Sequence, residues 1–525
     1  MSALLEIRDL GVVRTNCAQA ELERFSLAQN AGETVVLLGE ADSGKDVVLR
    51  VLNGERSDGV SGSIRFGDGE AKSLAKKPRA PFRIACFPSV ASHPFSPAAS
   101  VASQLVRIVA RKLECPRGAA RAELRAALAR LAGAPSFELL DCPVSRLDDV
   151  SLSWGLLAAI GASAPGLVLC DHPFIDISPA AAQTLTTALR AEQERFGFAI
   201  LYAARGPQTV ARMGGRTIVL RQGRVVEEND AGHLMGGQTH AYTQALFRAL
   251  PQRATEKPAR PTTRGEPLLQ VHGLVLRPDP KRKVQRTRDQ MSFELRRGAS
   301  LALVGENGSG RRDLMRAVLG LERKPGRILF DAVDLNLLSE PMTLRLRRRV
   351  AFVTGADDAL DPRMTLWDTV DEPLRAHLTL SRELTAGYRE AALKRVGLAS
   401  HDGRRAVATL SPFDRRRLLV ARAIVGAPLL VVVDEPLRGL DAVAQTTMRD
   451  LLMDFRVEQQ AAFLVITSDF AVAQALADEA MVFEGGRVVE RGPVRALLAN
   501  PRESATKALV AAASFQGLSR SGPAV

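Results

Sequence analysis

The sequence predicts an α/β fold that occurs twice, as two tandem domains along the chain. The stretch 35–54, VVLLGEADSGKDVVLRVLNG, matches 301–320, LALVGENGSGRRDLMRAVLG, at an offset of 305 − 39 = 266 residues. A second pair, 166–178 and 428–441, recurs at 434 − 171 = 263 residues. Repeated order and spacing over this distance indicate a tandem duplication. In each half an apolar run leads through a glycine-rich turn into a helical pattern, which is typical of α/β domains.

The remaining segments divide the chain around these repeats. The stretches 97–141 and 362–400 have helical periodicity and predict an inserted helical subdomain in each half. The stretch 251–267 is rich in proline, threonine and charge without an apolar period, which is typical of a linker. We therefore expect a first domain over 1–250, a linker over 251–267, a second domain over 268–512 and a flexible tail over 513–525.

Composition restricts the classes of partner and site. The charge balance of 71 − 58 = +13 favours an anionic partner, such as nucleic acid, a membrane surface or phosphates, without choosing among them. The five cysteines show no C-x-x-C spacing, so we expect neither a cysteine metal site nor a disulfide framework. The long uncharged stretch 150–170 is interrupted by Gly161 and Pro165, so we expect it in a domain core. The charged start predicts no signal peptide and a cytosolic location.

Each half carries a modified phosphate-binding loop, which ordinarily needs glycines that expose backbone N–H groups, a lysine, and a serine or threonine hydroxyl on magnesium. The first loop has Lys45 but Asp46 at the hydroxyl position. The second has Arg311 and Arg312 at the lysine and hydroxyl positions. The alternative is a plain strand-to-helix turn, but cations that open a helix oppose its dipole unless an anion neutralises them. We expect nucleotide contacts from Gly39, Ser43, Gly44, Lys45, Asp46, Gly305, Gly308, Ser309, Gly310, Arg311 and Arg312.

These motifs resemble those of ATP-binding-cassette (ABC) proteins, a family of P-loop NTPases. Two stretches, ALDPRMTLWDTVDEPLRAH at 359–377 and HAYTQALFRALP at 240–251, are similar to sequences in the ATPase subunits of dipeptide, oligopeptide and nickel importers. The resemblance covers nearly the whole chain. It implies two tandem domains, each with a mixed sheet core and an inserted helical subdomain, and it implies ATP and Mg²⁺ as cofactors.

The resemblance also assigns roles to the residues that end one strand in each half. Asp171 and Asp434 stand where the family's aspartate supports Mg²⁺ through water. The next position, whose carboxylate polarises the attacking water, is Glu435 in the second half and His172 in the first. Glu435 is therefore the candidate catalytic residue. His172 lacks a fixed negative charge and is either a weak base or a plain turn residue.

The family's signature segment, which supplies a serine and backbone N–H groups to the γ-phosphate, is altered in both halves. It falls on Ser411 and Pro412 in the second half, where proline has no N–H to donate. In the first half it falls on Asp148 and Asp149, which would set two carboxylates against a triphosphate. Ser411 is the signature residue that we expect to contact nucleotide.

Two further elements that act on the γ-phosphate are replaced in both halves. The family's histidine aligns with Arg205 and with Ser468. Its lid glutamine aligns with Pro88 and with Val353 or Thr354. Because phosphoryl transfer depends on positioning and charge stabilisation, we expect weak or absent ATP hydrolysis.

The charges of the two loops predict unequal sites. Asp42 and Asp46 lie beside Lys45 in the first loop and should repel phosphates, unless they recruit magnesium. Arg311 and Arg312 add positive charge to the second loop. We therefore expect weak nucleotide binding in the first half and better binding in the second.

The function implied by the resemblance is that of an ATP-binding subunit of a peptide-type importer. Such a subunit has membrane permease subunits and a substrate-binding protein as partners, lies peripherally on the cytosolic face of the inner membrane and does not insert into it. Two alternatives remain: a degenerate pair of cassettes with a regulatory or scaffold role, and a soluble ABC protein that acts on ribosomes or nucleic acid. Proteins of the last class usually have a long charged helical linker, whereas 251–267 is short and proline-rich, so we do not expect a nucleic-acid partner.

Overall fold

The computed structural model divides into two compact units. One consists mostly of Met1–Leu250 and the other mostly of Pro251–Leu440 and Ala444–Ser514. The structure describes residues 3–13, 20–41, 43–55, 59–69, 71–73, 83–89, 93–175, 177–236, 239–248, 266–276, 290–337, 348–355, 359–378, 380–398 and 403–514. The predicted linker up to residue 265, the predicted tail from residue 515 onward, and Asp42 lie outside the described residues.

The strands and helices of the first unit follow the predicted repeat. Its strands are β1 (Leu5–Val13), β2 (Ala20–Gln29), β3 (Thr34–Leu38), β4 (Val60–Phe66), β5 (Lys72–Ser73), β6 (Ile84–Pro88), β7 (Leu167–Asp171), β8 (Ala199–Ala204), β9 (Arg216–Arg221) and β10 (Arg224–Asp230). Its helices are α1 (Lys45–Leu52), α2 (Val101–Leu113), α3 (Arg117–Arg130), α4 (Asp149–Ser163), α5 (Pro179–Phe196), α6 (Pro207–Met213), α7 (Ala231–Met235) and α8 (Ala241–Arg248).

The second unit repeats this order. Its strands are β11 (Pro267–Leu274), β12 (Met291–Arg296), β13 (Ser300–Val304), β14 (Arg327–Phe330), β15 (Val333–Asp334), β16 (Val350–Thr354), β17 (Leu430–Asp434), β18 (Ala462–Thr467), β19 (Glu479–Glu484) and β20 (Arg487–Pro493). Its helices are α9 (Arg311–Val318), α10 (Leu366–His377), α11 (Arg382–Arg395), α12 (Pro412–Ile424), α13 (Ala442–Gln459), α14 (Phe470–Leu476), α15 (Val494–Ala499) and α16 (Ser504–Ser514).

Each unit contains a mixed six-stranded sheet with the same strand order. The order is β10-β9-β3-β8-β7-β6 in the first unit and β20-β19-β13-β18-β17-β16 in the second. Neighbouring strands are parallel except for the antiparallel pairs β10–β9 and β20–β19. A four-stranded antiparallel sheet accompanies each, in the orders β2-β1-β4-β5 and β12-β11-β14-β15. The predicted fold of two tandem α/β domains with mixed sheets is confirmed.

The central strands are apolar on both faces, as parallel strands covered on both sides must be. In β3 the side chains of Val36 and Leu38 join one apolar cluster, whereas Val35 and Leu37 join another. Successive side chains of a strand point to opposite faces, so each sheet has a core on either side. β13 in the second unit shows the same alternation.

The predicted helical stretches form a subdomain in each unit. α2, α3 and α4 pack on one another in the first, and α10, α11 and α12 do so in the second. Gly155 lets two helices approach closely, because a Cβ there would lie 3.0 Å from Leu105 Cδ1. Most of α4 is buried, so the uncharged stretch 150–170 belongs to the core as expected. Among the described helices we find none whose length and hydropathy suit a membrane span.

Candidate functional site

The first phosphate loop joins the carboxyl end of β3 to the first turn of α1. Gly39 leaves no room for a side chain, because a Cβ there would lie 2.4 Å from Leu220 O. Gly44 has φ 94°, a conformation that glycine adopts readily, and it is the N-cap of α1. Lys45 is fully buried, and its Nζ donates to Glu40 O at 2.8 Å. The loop itself therefore holds the lysine that the family uses on phosphates.

Asp46 contacts the residue that follows β7. The distance from His172 Nε2 to Asp46 Oδ1 is 2.9 Å. Burial lowers the pKa of His172 to about 4, although Asp46 opposes this, so the imidazole is neutral at pH 7. Burial disfavours ionisation of Asp46, but the hydrogen bond from His172 and the charge of Lys45 outweigh it and lower the pKa of Asp46 to about 2. A neutral imidazole therefore donates a proton from Nε2 to an ionised carboxylate.

Three side chains at this place could together hold a cation. Ligand atoms of Asp46, Asp171 and His172 all lie within 4.8 Å of one another. Burial and the nearby charge of Asp46 raise the pKa of Asp171, which shows that the two carboxylates repel each other. Two carboxylate oxygens fit a divalent cation, and His172 Nε2 would join them as a ligand only in the tautomer that carries its proton on Nδ1. The role of Asp171 beside Mg²⁺ stays a prediction, and the surrounding donor set is compatible with it.

The second phosphate loop keeps the glycines on which its backbone depends. A Cβ at Gly305 would lie 2.6 Å from Ser309 Oγ. Gly308 and Gly310 have φ of 78° and 105°, where other residues are strained. The hydroxyls of Ser309 and of its counterpart Ser43 are buried and have no hydrogen-bond partner among the described residues. The loop backbone is thus preserved although its charged side chains differ.

Arg311 and Arg312 contact the two acidic residues at the end of β17. Arg311 is 2% exposed, and its Nη2 donates to Glu435 Oε1 at 2.9 Å and to Asn307 Oδ1 at 3.2 Å. Arg312 Nε donates to Asp434 Oδ2 at 3.1 Å. Burial raises the pKa of Asp434, and the charge of Arg312 opposes that shift. The sequence predicts that both arginines are available to phosphates, but both are paired within this unit. The pairing is favourable because a buried carboxylate without a cationic partner is costly.

The Glu435 carboxylate is almost fully buried and receives several hydrogen bonds. Ser468 donates to Oε1 from its backbone N–H at 2.9 Å and from its hydroxyl at 3.0 Å. Thr467 Oγ1 donates to Oε2 at 3.1 Å, and Arg311 adds the bond described above. A carboxylate offers about four acceptor sites. Oε1 therefore receives three of these hydrogen bonds, including the one from Arg311, and Oε2 receives one.

The backbone at this position is the same in both units even though the residue differs. His172 has φ 47° and Glu435 has φ 49°, both in the left-handed region that residues other than glycine rarely adopt. The sheet register also places Pro88 beside Asp171 and Thr354 beside Asp434. Thr354 rather than Val353 is therefore the counterpart of Pro88.

The signature positions begin corresponding helices. Ser411 Oγ accepts the N–H of Asp414 at 3.1 Å, and Asp148 Oδ1 accepts the N–H of Ser151 at 2.9 Å. Serine and aspartate are both good N-cap residues, so one can replace the other in this structural role. Pro412 occupies the first helical position, where a missing N–H costs little. The contact of Ser411 with nucleotide stays a prediction.

Sequence reasoning missed Tyr242. Its hydroxyl donates to Glu40 Oε2 in the first phosphate loop at 3.0 Å, and the Arg221 guanidinium lies 4.7 Å from its ring centroid. Burial, together with the charge of Glu40, raises the pKa of Tyr242. In the sequence, the segment 240–251 indicates only the subfamily. Its similarity to a family sequence is the one signal there that could have pointed to a role in the site.

Comparison with known proteins identifies the family. Residues 288–438 match the family model described as ABC transporter. The ABC transporter ATP-binding protein YejF of Escherichia coli K12 is 30% identical over 529 residues, which cover 97% of this chain and 99% of that protein. The glutathione import ATP-binding protein GsiA of Salmonella choleraesuis is 27% identical over 96% of this chain and 88% of that protein.

The chain also resembles a solved structure over less than half of its length. The structure of cbiO1 from Clostridium perfringens, part of the ABC transporter complex cbiONQ, matches at 24% identity and a TM-score of 0.40, over 45% of this chain and 91% of that one. ABC ATPases in general use ATP and Mg²⁺. The resemblance inferred from the motifs is confirmed by the match to YejF along nearly the full length of both proteins. The chain belongs to the family of ABC transporter ATP-binding proteins.

Proposed function

We propose that this chain is the ATP-binding subunit of a peptide-type importer for dipeptides, oligopeptides or nickel, and that it binds nucleotide with weak or absent hydrolysis. The near full-length similarity to GsiA, named for glutathione import, supports a peptide-type solute. Residues 1–250 and 268–512 are its two nucleotide-binding domains. Permease subunits hold it on the cytosolic face of the inner membrane, and a substrate-binding protein delivers the solute.

The state of the Glu435 carboxylate carries the proposal of weak hydrolysis. A general base must accept a proton from the attacking water through a free lone pair. Oε1 of Glu435 already accepts hydrogen bonds from Arg311 and Ser468, and Oε2 accepts one from Thr467. A proton taken from water would also remove the negative charge that neutralises the buried Arg311, which is costly.

In the first unit the residue at the catalytic position is a poor base. His172 stands at the position of the catalytic carboxylate, but its Nε2 proton is donated to Asp46. Its lowered pKa, about 4, makes it a weak base at neutral pH. Turnover in the first unit should therefore be at least as slow as in the second.

The charges around each loop support better nucleotide binding in the second unit. Each set comprises the charged residues at the lysine, hydroxyl, strand-end and γ-phosphate histidine positions, together with Asp42 in the first loop. The first set is Lys45 and Arg205 against Asp42, Asp46 and Asp171, which sums to 2 − 3 = −1. The second set is Arg311 and Arg312 against Asp434 and Glu435, which sums to 2 − 2 = 0. A triphosphate is therefore repelled less by the second set.

A second candidate is a regulatory or scaffold protein that has kept the cassette fold without its chemistry. The paired charges at both sites favour it, because they hold each loop together without nucleotide. Deleting the gene and measuring uptake of labelled dipeptide, glutathione and nickel tests the two candidates against each other. The importer predicts loss of uptake of one solute, restored by the intact gene. Unchanged uptake of all three would contradict the importer and favour the regulator.

A further inference from the structure

The second phosphate loop lacks the hydroxyl with which the family holds Mg²⁺. Arg312 stands at the hydroxyl position, and its Nε donates to Asp434 Oδ2 at 3.1 Å. The other carboxylate oxygen, Asp434 Oδ1, has no hydrogen-bond partner among the described residues, but a cation there would lie against the like charge of Arg312. The residues of the second loop therefore do not fit a bound Mg²⁺ ion.

We propose that the second phosphate loop binds the phosphate chain of a nucleotide without a divalent cation, with the Arg312 guanidinium in the place of that cation. This inference rests on the nucleotide binding proposed above and adds that this binding needs no divalent cation. The Arg312 side chain is 48% exposed, and Nε is the atom that bonds Asp434. This bond uses Nε alone, so the two Nη groups of the forked guanidinium can contact phosphate oxygens, as arginine does elsewhere.

The neighbouring groups indicate that the missing ligand is an anion. Arg311 is 2% exposed, yet its Nε and Nη1 have no hydrogen-bond partner among the described residues. Buried N–H donors without an acceptor are unfavourable, and phosphate oxygens that enter the loop would supply acceptors. The loop opens α9 through Gly310, so backbone N–H groups and the positive end of the helix add to the same attraction.

The first unit provides the contrast within the same chain. There the hydroxyl position is Asp46, which lies with Asp171 and His172 in an arrangement that fits a divalent cation. That loop adds negative charge where the second adds a guanidinium. Nucleotide binding in the second unit should therefore differ from that in the first in its dependence on metal.

The test is equilibrium dialysis of radiolabelled ATP against the full chain in excess Mg²⁺ and in EDTA. Every variant in this experiment also carries Lys45→Ala, which weakens nucleotide binding by the first loop. We expect this parent to bind ATP with similar affinity in both media. Arg312→Ser restores the hydroxyl and removes the guanidinium, so its affinity should fall by about tenfold or more in EDTA and recover partly with Mg²⁺. Arg312→Lys keeps the charge and should retain binding in EDTA.

Arg316→Ser is the matched control. Arg316 lies one turn further along α9 and forms an exposed ion pair with Glu322, so its loss should leave binding unchanged in both media. Binding by the parent that requires Mg²⁺, or unchanged binding of Arg312→Ser in EDTA, would overturn this inference while leaving the nucleotide-binding proposal intact. Absence of ATP binding in both media, with circular dichroism showing a folded protein, would overturn both. Should Arg312→Ser not fold, Arg312→Lys and the parent still decide the metal requirement.

Discussion

The two phosphate loops of this chain carry opposite changes of charge, and in each the change is matched at the end of a strand in the same unit. In the first, Asp46 replaces a hydroxyl and is hydrogen-bonded by His172. In the second, Arg312 replaces a hydroxyl and is paired with Asp434. The residue at the hydroxyl position and the group that it contacts thus differ together between the two units.

The two loops share one backbone conformation although their charged side chains differ. Gly44 and Gly310 adopt the same left-handed conformation, and so do His172 and Glu435. The backbone of the site is therefore kept by glycines and turn geometry, while the side chains at its centre differ between the units together with the groups that they contact. The loop fold can persist through such changes when each buried charge has a partner.

The largest expected effect comes from breaking the buried pair in the second unit. Glu435→Ala leaves the buried Arg311 without its carboxylate, so the free energy of unfolding of this unit should fall by about 3–5 kcal/mol. Urea unfolding followed by Trp367 fluorescence, with Trp154→Phe in the background, measures it. The control Asp450→Ala removes an exposed pair with Arg449 and should cost about 0–1 kcal/mol. A similar small loss for Glu435→Ala would show that the pair is not formed.

The first unit should lose stability in mild acid because His172 is buried as the neutral form. Its pKa is about 4 when folded and 6.5 when unfolded, so the unfolded state binds more protons as the pH falls from 6.5 to 4. The free energy of unfolding should decrease over this window by up to about 3 kcal/mol. His172→Asn should flatten this slope in urea titrations followed by Trp154 fluorescence, whereas His272→Asn, at an exposed position, should not. An equal slope in all three proteins would contradict the buried neutral imidazole.

Repairing the first loop should raise its affinity for nucleotide and leave turnover at background. Asp42→Gly with Asp46→Ser removes two carboxylates and restores the hydroxyl, so affinity for a fluorescent ATP analogue should rise about tenfold. Turnover should stay low because His172 is unchanged and the other replaced groups share the work. Asp141→Ser, which removes a charge from the helical subdomain, is the control. Unchanged affinity would show that the two aspartates do not repel phosphate.

A smaller effect is expected from the contact between Tyr242 and the first loop. Tyr242→Phe removes the hydrogen bond to Glu40 while keeping the ring beside Arg221. The free energy of unfolding of the first unit should fall by about 1 kcal/mol. Tyr388→Phe, at an exposed position in the second unit, should have no effect on the same measurement. A loss of several kcal/mol would indicate that the hydroxyl has further roles.

The smallest expected effect concerns hydrolysis itself. Phosphate release with Mg²⁺ should be near background, and Glu435→Gln should leave it unchanged, because the wild-type carboxylate is already engaged by Arg311 and Ser468. Clear turnover that Glu435→Gln abolishes would show that the carboxylate becomes free during the reaction. That outcome would show that the second unit is an active ATPase.

The sequence by itself determined the duplication, the α/β class, the helical subdomains and the two phosphate loops. These features depend on local patterns: apolar runs of strand length, helical periodicity, and glycines at positions that need a left-handed backbone. Gly310, for example, could be recognised from the loop pattern before its φ of 105° was seen. Local patterns of this kind can be recognised within one segment, without knowing which other segment packs against it.

Only the tertiary structure decided which charges meet. Asp46 and His172 are 126 residues apart, Arg311 and Glu435 are 124 apart. Their contacts follow from the strand order, which brings the end of β7 or β17 next to the helix that follows β3 or β13. From the sequence alone Arg311 is expected to be a free positive charge, because the sequence does not show which residues are in contact in the folded chain. Burial at the strand ends makes such pairing favourable, and burial is a property of the folded chain alone.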